Sequence, residues 1–365
     1  MMNKIREKIV IVTNSPAPYR ENLYKSLSKK YDLKVFFLNK QEKNRSWKFN
    51  KHKYPAYYLS SKFIYFGEYP IYFSLNIYSE IIKFKPKQIF ICGMGLSFLF
   101  LLFISKLNKI KTTLFIDGNL ISESSSKLGL LIKINKIIFL KYFNNAVVVG
   151  NKGVKLLTYY NFNIDKIYLS PLTINNKIFS NHSKKINFRT IDILLIGRFI
   201  PKKNFSFCID IFKELESKLN QKLVIALIGD GPEKETIRNK LNNLNLKILD
   251  YGFVQPKQLP KLYGISKIML FPSLADAWGM TVNESMASGV CVLSSKYIGA
   301  AGDLIINEHN GYVLDLDIKI WVNKIVELLS NYKLLKKIQL QAMNDIKKWS
   351  HQSSLRGIIK AIEQN

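Results

Sequence analysis

Cysteine and histidine are scarce in this chain of 365 residues, with three cysteines and four histidines in all. Cys92, Cys208 and Cys291 lie far apart inside apolar runs, a pattern typical of small buried side chains in a reducing compartment. This spacing excludes a disulfide framework and a cysteine-based metal site. The charged start runs directly into a strand-like segment without an apolar block and cleavage site, so we expect no signal peptide.

Acidic residues are also few: 26 aspartates and glutamates face 55 lysines and arginines, which gives a formal net charge of +29. A nucleic acid, an anionic membrane or a lipid diphosphate would each suit such a charge. Biased codon usage is the alternative, because lysine, asparagine and isoleucine are dense throughout. No concentrated basic block, zinc-finger pattern or RNP pattern occurs, so we expect no nucleic-acid partner.

What the chain does contain is a regular alternation of short apolar runs with helical stretches, which predicts doubly wound parallel α/β domains. In the first half the strand-like runs are 8–14, 33–39, 88–93, 112–117, 146–150 and 166–171. In the second half they are 191–197, 222–229, 246–252, 267–273 and 290–295. The periodicity lapses at 171–190. We therefore predict domains at 1–170 and 191–345, an interdomain linker at 171–190, and a C-terminal helix at 346–365.

The segment 271–289 combines the features expected of an anion site. A buried strand ends at its start, a polar loop carrying Asp276 follows, and a helix begins near Thr281 after Gly279. Such a junction points backbone N–H groups at an anion. Glu284 lies one turn into the helix, so two carboxylates flank the expected site.

Each of these residues also has a structural interpretation. Thr281 and Glu284 fit a capping box, in which the glutamate only reaches back to the start of its own helix. Trp278 is more often a packed aromatic than a platform for a ligand. Asp276 alone would be a solvated loop residue.

Further motifs follow other strands of the second half. Arg198 and Lys203 lie in GRFIPKKN just past a strand end, where a guanidinium fork and an ammonium group suit a diphosphate. A glycine-rich turn occupies 228–234, YGFV occupies 251–254, and a loop with an Asn-Gly turn occupies 298–314. Several of these glycines stand where the backbone turns sharply or approaches a ligand.

Acid, seven residues, acid at a strand–helix junction, with these motifs in this order, resembles the retaining nucleotide-sugar glycosyltransferases of family four, of the bacterial surface-polysaccharide type. The resemblance implies the GT-B fold, two Rossmann-like domains facing a cleft, with the last helix crossing back to the first domain. It implies cations on the leaving diphosphate, Glu284 on the ribose and Asp276 on the sugar. The expected donor-binding residues are Gly197, Gly229, Phe253, Val254, Gly279, Met280, Thr281 and Glu284.

The N-terminal half supports the resemblance through the turn NSPAPYR at 14–20, which is similar to a turn at the start of related enzymes. Arg20 could meet a phosphate or an acceptor, or be a surface arginine. Asp117, in IDGN, stands at a strand end where many relatives have a loop histidine. It could orient or deprotonate an acceptor hydroxyl, or simply form a turn. The expected catalytic residues are Arg198, Lys203, Asp276 and Asp117, and the acceptor-side residues are Asn14, Pro18, Arg20 and Asn119.

Three segments bear on membranes. The run 88–105 carries no charge, but its glycines divide it into a strand and a short helix, as in a buried βα unit. The run 127–143 is a basic amphipathic helix that would place Lys133 and Lys136 opposite its leucine and isoleucine face. It could lie on anionic lipid, or pack that face on the core with solvated lysines. The segment 40–75 has no period and resembles an acceptor-side or membrane-side insertion.

We therefore expect a transferase that moves a hexose or N-acetylhexosamine, with retention, from a nucleotide sugar to a glycan or polyprenyl-diphosphate-linked acceptor. A UDP-sugar is favoured over a GDP-sugar. No cofactor or metal is expected, and the aspartates of Asp315-Leu-Asp317 are interpreted as structural. The expected location is the inner face of the cytoplasmic membrane, bound peripherally to an anionic surface. The alternatives are a GT-B sugar-nucleotide epimerase and a basic membrane- or nucleic-acid-binding module with a degenerate site.

Overall fold

The computed structural model describes residues 6–40, 51–59, 62–66, 69–74, 76–124, 129–184, 188–219 and 221–364. The chain divides into two compact units. Unit 1 comprises residues 1–172 and 351–365, and unit 2 comprises residues 173–350.

Unit 1 is built on a parallel sheet whose strands are continuous apolar runs, as expected where helices cover both faces. Its elements are β1 Lys8–Thr13, α1 Glu21–Lys30, β2 Asp32–Phe37, β3 Ala56–Tyr58, β4 Lys62–Phe66, β5 Tyr69–Phe73, α2 Asn76–Phe84, β6 Gln88–Ile91, α3 Leu96–Leu107, β7 Lys111–Ile116, α4 Leu120–Ser124, α5 Gly129–Phe139, β8 Asn145–Val148, α6 Asn151–Tyr159 and β9 Ile167–Leu169. Seven strands form the sheet in the order β3-β2-β1-β6-β7-β8-β9, while β4 and β5 form a separate antiparallel pair. The reversal of strand order between β1 and β6 brings the loops after both strands to one edge, where ligands bind in this class of fold.

Unit 2 repeats this plan. Its elements are α7 Asn176–Lys184, β10 Ile191–Ile196, α8 Ser206–Lys218, β11 Val224–Ile228, α9 Lys234–Asn242, β12 Lys247–Gly252, α10 Leu259–Gly264, β13 Ser266–Phe271, α11 Met280–Ala287, β14 Cys291–Ser295, β15 Tyr312–Leu314, α12 Ile318–Ser330 and α13 Tyr332–Asp345. Six parallel strands form its sheet in the order β12-β11-β10-β13-β14-β15. The predicted fold class, two doubly wound parallel α/β units, is confirmed by the two sheets.

The last helix, α14 (His351–Glu363), is a part of unit 1. The backbone carbonyl of Ala361, near the helix end, accepts hydrogen bonds from the buried side chains of Gln88 (2.9 Å) and Asn145 (2.8 Å). These bonds use one of the carbonyls that a helix C-terminus leaves without an internal partner. A Cβ atom on Gly357 would lie 1.8 Å from the carbonyl oxygen of Leu169, so only glycine permits this close packing of α14 on β9.

The run 88–105 forms strand β6 followed by helix α3, as the sequence predicts. Within the described ranges, no helix combines the length and apolar composition needed to cross a bilayer. Of the segment 40–75, residues 41–50, 60, 61, 67, 68 and 75 lie outside the described part. The described remainder contains β3, which pairs with β2, and the antiparallel pair β4 and β5. The sequences of these three strands show no regular apolar repeat, so they were not predicted.

The predicted linker 171–190 contains helix α7, which belongs to unit 2. Among the described residues of this segment, Phe179 is the buried aromatic: it packs edge-on against Tyr263, with ring centroids 5.9 Å apart. Ile178 beside it is exposed. A helix held by one buried aromatic has no repeating apolar face, which is why the sequence shows no periodicity.

For the amphipathic helix at 127–143, the structure contradicts the interpretation in which the apolar face packs on the core and both lysines are solvated. Residues 127 and 128 lie outside the described part, and α5 covers Gly129–Phe139. Lys136 is buried, whereas Ile134 and Ile137 are exposed. An ion pair between Lys136 and Glu123 explains the reversal, because a buried lysine needs a partner and turns the helix to reach it.

Candidate functional site

The loop that follows β13 is fastened to the loop that follows β10. The Ser273 hydroxyl and the Leu274 backbone N–H both donate to the backbone carbonyl of Lys202, at 3.0 Å and 2.9 Å. The side-chain amide of Asn204 donates to the carbonyl of Pro272 at 3.3 Å. Because β10 and β13 are parallel neighbours, their carboxyl ends meet here, and these bonds hold the loops together.

Asp276 and Lys203 form an ion pair across these two loops. About a fifth of each side chain is exposed (19% for Lys203 and 18% for Asp276). The other carboxylate oxygen of Asp276 accepts from the backbone N–H of Trp278 at 3.1 Å, and the ammonium group of Lys203 lies 4.6 Å from the ring centroid of Phe271. From the sequence we expected Lys203 on the diphosphate and Asp276 on the sugar, and the structure brings the two side chains together.

A third loop supports Asp276 from the side of β14. The Asp276 backbone N–H donates to the carbonyl of Tyr297 (3.3 Å), and its carbonyl accepts from the N–H of Gly299 (3.0 Å). A Cβ atom on Gly299 would lie 1.9 Å from the carbonyl oxygen of Ala277, so the two loops can meet only at a glycine. The backbone of Asp276 is therefore held through both its N–H and its carbonyl, which fixes the point from which the carboxylate projects.

Helix α11 begins directly after Gly279, with Met280 and Thr281 as its first residues. Gly279 has φ of +98°, and a Cβ there would lie 2.8 Å from the ring of Phe271, so a side chain is excluded for two reasons. No side chain in the described part of the chain caps the helix, and the buried hydroxyl of Thr281 has no hydrogen-bond partner there. The first turn thus presents backbone N–H groups and a hydroxyl at the strand-end edge.

Glu284 does not form the capping box that the sequence allowed. Gly279 is the N-cap, so Thr281 is inside the helix, and the carboxylate of Glu284 instead accepts from the hydroxyl of Tyr263 at 2.7 Å. Burial raises the pKa of Glu284 to about 7, against the opposing effect of the Tyr263 hydrogen bond. Trp278 is a packed aromatic: it is buried, and its indole N–H donates to the side-chain oxygen of Asn283 at 2.8 Å.

The glycine-rich turn after β11 packs backbone against backbone on the loop after β10. A Cβ on Gly229 (φ +124°) would lie 1.9 Å from the carbonyl oxygen of Gly197, and one on Gly231 (φ +152°) would lie 2.4 Å from that of Phe199. The N–H of Phe199 donates to the carbonyl of Asp230 at 2.9 Å. These glycines act between loops, and they fix the backbone from which Arg198 projects.

Arg198 is exposed at this edge, and within the described residues its side chain has neither a hydrogen bond nor an ion pair. Phe253 and Val254 follow β12 on the same edge, and the ring of Phe253 is also exposed. The N–H of Gly229 donates to the carbonyl of Gly252 at 2.7 Å, which ties the loop after β12 to the loop after β11. The predicted donor-side residues therefore stand at the carboxyl ends of β10, β11, β12 and β13.

In unit 1 a cavity of about 210 Å³ opens at the ends of β1, β6 and β7, and Asn14, Arg20 and Asp117 line it together. The guanidinium of Arg20 stacks on Phe115, with its carbon 4.1 Å from the ring centroid. Cys92 also lines the cavity, and burial raises the pKa of its thiol to about 12. In the described part of the chain neither Arg20 nor Asp117 has a side-chain hydrogen bond or ion pair.

The other two residues predicted on the acceptor side are placed differently. Asn119 is buried, and its side-chain oxygen accepts from the N–H of Ser122 at 2.9 Å, so it caps α4. Pro18 opens a single 3₁₀ turn that ends at Arg20 and does not line the cavity. Their roles toward an acceptor stay predictions.

Sequence reasoning missed two groups of partners. Tyr263, the partner of Glu284, lies in the short helix α10 and carries no motif. In unit 1, Glu21 accepts hydrogen bonds from the ring nitrogen Nδ1 of His52 (3.0 Å) and the hydroxyl of Tyr54 (2.6 Å), while His52 stacks on Phe37 at the end of β2. His52 follows no strand-like run in the sequence, yet the structure places it against Phe37, the last residue of β2.

The two aspartates of the Asp-Leu-Asp sequence have structural partners. Asp317 caps α12 by accepting from the N–H of Ile320 at 3.1 Å, and Asp315 pairs with Lys296 at 2.7 Å. Within the described ranges there is no group of three or more histidine, cysteine or acidic side chains that could hold a metal ion.

Comparisons with known proteins agree with this arrangement. Residues 177–345 match the family model of glycosyl transferases group 1. An uncharacterised glycosyltransferase of Methanocaldococcus jannaschii is 26% identical over 242 residues, which are 60% of this chain and 66% of that protein. An α-1,4-N-acetylgalactosaminyltransferase of Campylobacter jejuni, whose name specifies an undecaprenol-diphosphate-linked substrate, is 28% identical over 167 residues, 46% of this chain and 45% of that protein. The chain thus spans less than two thirds of the length of these relatives.

Among solved structures, the HepE protein of Anabaena in complex with UDP superposes with a TM-score of 0.78 at 12% identity, covering 98% of this chain and all of that one. The same protein with UDP-glucose gives a TM-score of 0.75 at 14% identity, covering 98% of this chain and all of that one. At these identities the likeness establishes the fold, two Rossmann-like units of the GT-B type. The second unit thus contains a domain similar to glycosyl transferases group 1, and the whole chain has the fold of the GT-B structures.

Proposed function

We propose that this protein is a retaining, family-four-like enzyme that transfers a hexose or N-acetylhexosamine from a UDP-sugar to a lipid-linked glycan in surface-polysaccharide synthesis. The observation that carries the proposal is the edge formed by the ends of β10 to β13. Among the described residues, it joins a helix N-terminus without a side-chain cap, an exposed Arg198 without a hydrogen bond or ion pair, and the partly exposed carboxylate of Glu284. Cationic and backbone donors beside a carboxylate suit a diphosphate attached to a ribose.

In this mechanism the diphosphate of the donor lies at the first turn of α11 and against Arg198. These donors stabilise the negative charge that grows on the leaving phosphate, where electrostatic catalysis acts. Lys203 contributes a second cation, with its position set by Asp276. The two residues act as a unit: the ion pair holds Lys203 toward the phosphates and leaves Asp276 to accept from a sugar hydroxyl.

Glu284 accepts hydrogen bonds from the ribose hydroxyls, and it does so best when ionised, because both carboxylate oxygens are then charged acceptors. Tyr263 holds the carboxylate in place. The exposed ring of Phe253 and the neighbouring Val254 lie beside the nucleotide base. The UDP and UDP-glucose complexes of the Anabaena protein support a uridine nucleotide as the donor for this chain.

On the acceptor side, the cavity of unit 1 offers one cation and one carboxylate with no partners among the described residues. Arg20 suits an anionic group of the acceptor, and Asp117 suits the hydroxyl that attacks the sugar. The lipid-linked substrate named for the Campylobacter relative supports a polyprenyl-diphosphate acceptor. Such an acceptor supplies both the hydroxyl and the negative charge that this cavity would recognise.

The test is a comparison of donors by thermal shift and by transfer to a polyprenyl-diphosphate-linked sugar. UDP-glucose, UDP-N-acetylglucosamine, UDP-N-acetylgalactosamine and GDP-mannose are each compared with no ligand. We expect one UDP-sugar to raise the melting temperature and to be transferred, with NMR of the product showing the anomeric configuration of the donor. Inversion would refute retention, and the absence of any shift or transfer would refute the proposed donor class.

The control for the site is a pair of variants in unit 2. Arg198→Ala should slow transfer by about 10²-fold, because it removes a donor aimed at the leaving diphosphate. Lys213→Ala removes an exposed lysine on α8 that pairs with Asp210 on the same helix and should leave transfer unchanged. Equal rates in the two variants would contradict the placement of the diphosphate.

A further inference from the structure

Helix α5 turns one of its two lysines, Lys136, inward. Lys136 is 6% exposed and pairs with the carboxylate of Glu123 on α4. That carboxylate also accepts from the hydroxyl of Tyr160, and the ammonium group lies 5.5 Å from the Tyr160 ring centroid. Burial lowers the pKa of Lys136, and its ion pair with Glu123 opposes that change. The three side chains fix the rotation of α5 about its own axis.

This rotation leaves the apolar residues of α5 facing outward. Leu130, Ile134, Ile137 and Ile138 are 73%, 42%, 60% and 44% exposed. Their spacing of four, three and one places them in a single stripe on the helix surface. A helix of a water-soluble domain normally buries such a stripe and exposes its lysines, so the arrangement indicates an external partner for this face.

The charges around the apolar stripe indicate what kind of partner it binds. The segment 129–143 contains three lysines and no acidic residue. Lys133 is exposed beside the stripe, and Lys141 is exposed just beyond its end. A surface with isoleucine and leucine along its middle, lysines at its margin and no carboxylates matches an anionic bilayer, where the apolar face enters the headgroup boundary and the lysines meet the phosphates. The net charge of +29 acts in the same direction.

We propose that the outer face of α5, comprising Leu130, Lys133, Ile134, Ile137 and Ile138, is a docking surface for an anionic lipid bilayer. With 11 residues α5 is too short to cross a membrane, so it lies in the plane of the interface. This role rests on the proposed function, because an enzyme with a lipid-linked acceptor must reach that acceptor at a membrane surface.

The first test is co-sedimentation with vesicles of phosphatidylcholine alone or mixed with phosphatidylglycerol. The wild type should bind the mixed vesicles and not the neutral ones. Ile137→Asp should lower binding by about tenfold or more, since it places a carboxylate in the centre of the apolar face. The matched control is Leu340→Asp on α13, which changes an equally apolar residue that is 49% exposed and should bind like the wild type. Wild-type binding by Ile137→Asp, or an equal loss in Leu340→Asp, would overturn the proposal.

A pair of lysine variants tests the inverted orientation itself. Lys133→Met should weaken vesicle binding, whereas Lys136→Met should not, because Lys136 is turned toward Glu123 and away from the lipid. The opposite result would mean that α5 has the ordinary amphipathic orientation and would overturn the proposed surface. Because Lys136→Met leaves Glu123 buried without its cation, its melting temperature is measured first; if it fails to fold, Ile137→Asp still decides.

Two further measurements distinguish a failure of the lipid surface from a failure of the proposed function and from dimer formation. The thermal shift with a UDP-sugar should be the same in Ile137→Asp and the wild type. Loss of vesicle binding with this shift intact supports the surface, while intact vesicle binding without any shift would refute only the proposed function. If light scattering shows a dimer that Ile137→Asp converts to a monomer, and neither protein binds vesicles, the face is occupied by a second copy and the lipid proposal is wrong.

Discussion

Glu284 should make binding of the sugar nucleotide depend on pH. In the free protein burial raises the pKa of this carboxyl group to about 7, so it changes its charge near neutrality. Ribose hydroxyls that donate to a carboxylate favour its ionised form, and the bound donor should therefore lower this pKa. By linkage, affinity for a UDP-sugar should be highest above pH 7 and should decrease as the pH falls below it.

The size of the effect follows from the pKa. With a value of about 7, the group is about nine-tenths ionised at pH 8 and about one-tenth ionised at pH 6, so the dissociation constant should rise about tenfold between them. A UDP-sugar is the correct probe because a terminal phosphate, as in UDP, titrates near pH 6 by itself.

The assay is isothermal titration calorimetry at pH 6, 7 and 8. Glu284→Gln should bind weakly at all three values, because an amide does not titrate and a charge-assisted hydrogen bond worth about 1.5–3 kcal/mol is lost. Tyr263→Phe is the second variant: without the hydroxyl that stabilises the carboxylate, the pKa should rise and the midpoint of the pH dependence should move up. Wild-type affinity that is constant from pH 6 to 8, or unchanged affinity in Glu284→Gln, would refute this role.

Three other results are expected. Glu284→Gln should unfold at a higher temperature than the wild type at pH 8 and at the same temperature at pH 4: the folded pKa is about 7 against 4.5, so stability falls as the pH rises between them, by up to about 3 kcal/mol. Equal melting at pH 8 would contradict this. Asp276→Asn should fold normally and lose more affinity for the UDP-sugar than for UDP; an equal loss for both would remove Asp276 from the sugar site. EDTA should not reduce transfer, since Arg198, Lys203 and the start of α11 already serve the phosphates, whereas loss of transfer with rescue by Mn²⁺ would show that a metal is needed.

Sequence patterns predicted the sheets well because each central strand is an apolar run with a turn at its end. The run 191–197, for example, appears as β10 (Ile191–Ile196), buried by helices on both faces. Periodicity failed where one contact decides the structure. Helix α7 depends on the single aromatic Phe179, and the rotation of α5 depends on the buried pair Lys136–Glu123, 13 residues apart in sequence.

In the candidate site, too, local patterns predicted the strand-end loops but not the contacts between residues distant in sequence. Strand-end motifs placed Arg198, Asp276 and Gly279 at one edge, because parallel strands bring their following loops together. The partners of the two carboxylates could not be found in this way. Lys203 lies 73 residues from Asp276, and Tyr263 lies 21 residues from Glu284 in a helix that carries no motif. These pairings follow from strand order and helix packing, which a local pattern does not contain.

The partners also change what each carboxylate can do. Asp276 is paired with Lys203, so a sugar hydroxyl that donates to Asp276 would bind beside an ammonium group that the ion pair already holds toward the diphosphate. Among the described residues Glu284 has a neutral hydroxyl as its partner, and burial raises its pKa, so its ionised form would gain most from the ribose hydroxyls of a bound donor. The acid at 276 would therefore couple binding of the sugar to the position of a cation, and the acid at 284 would couple binding of the nucleotide to the loss of a proton. Two acids eight residues apart would thus have different tasks, because the structure pairs Asp276 with a cation and Glu284 with a neutral hydroxyl.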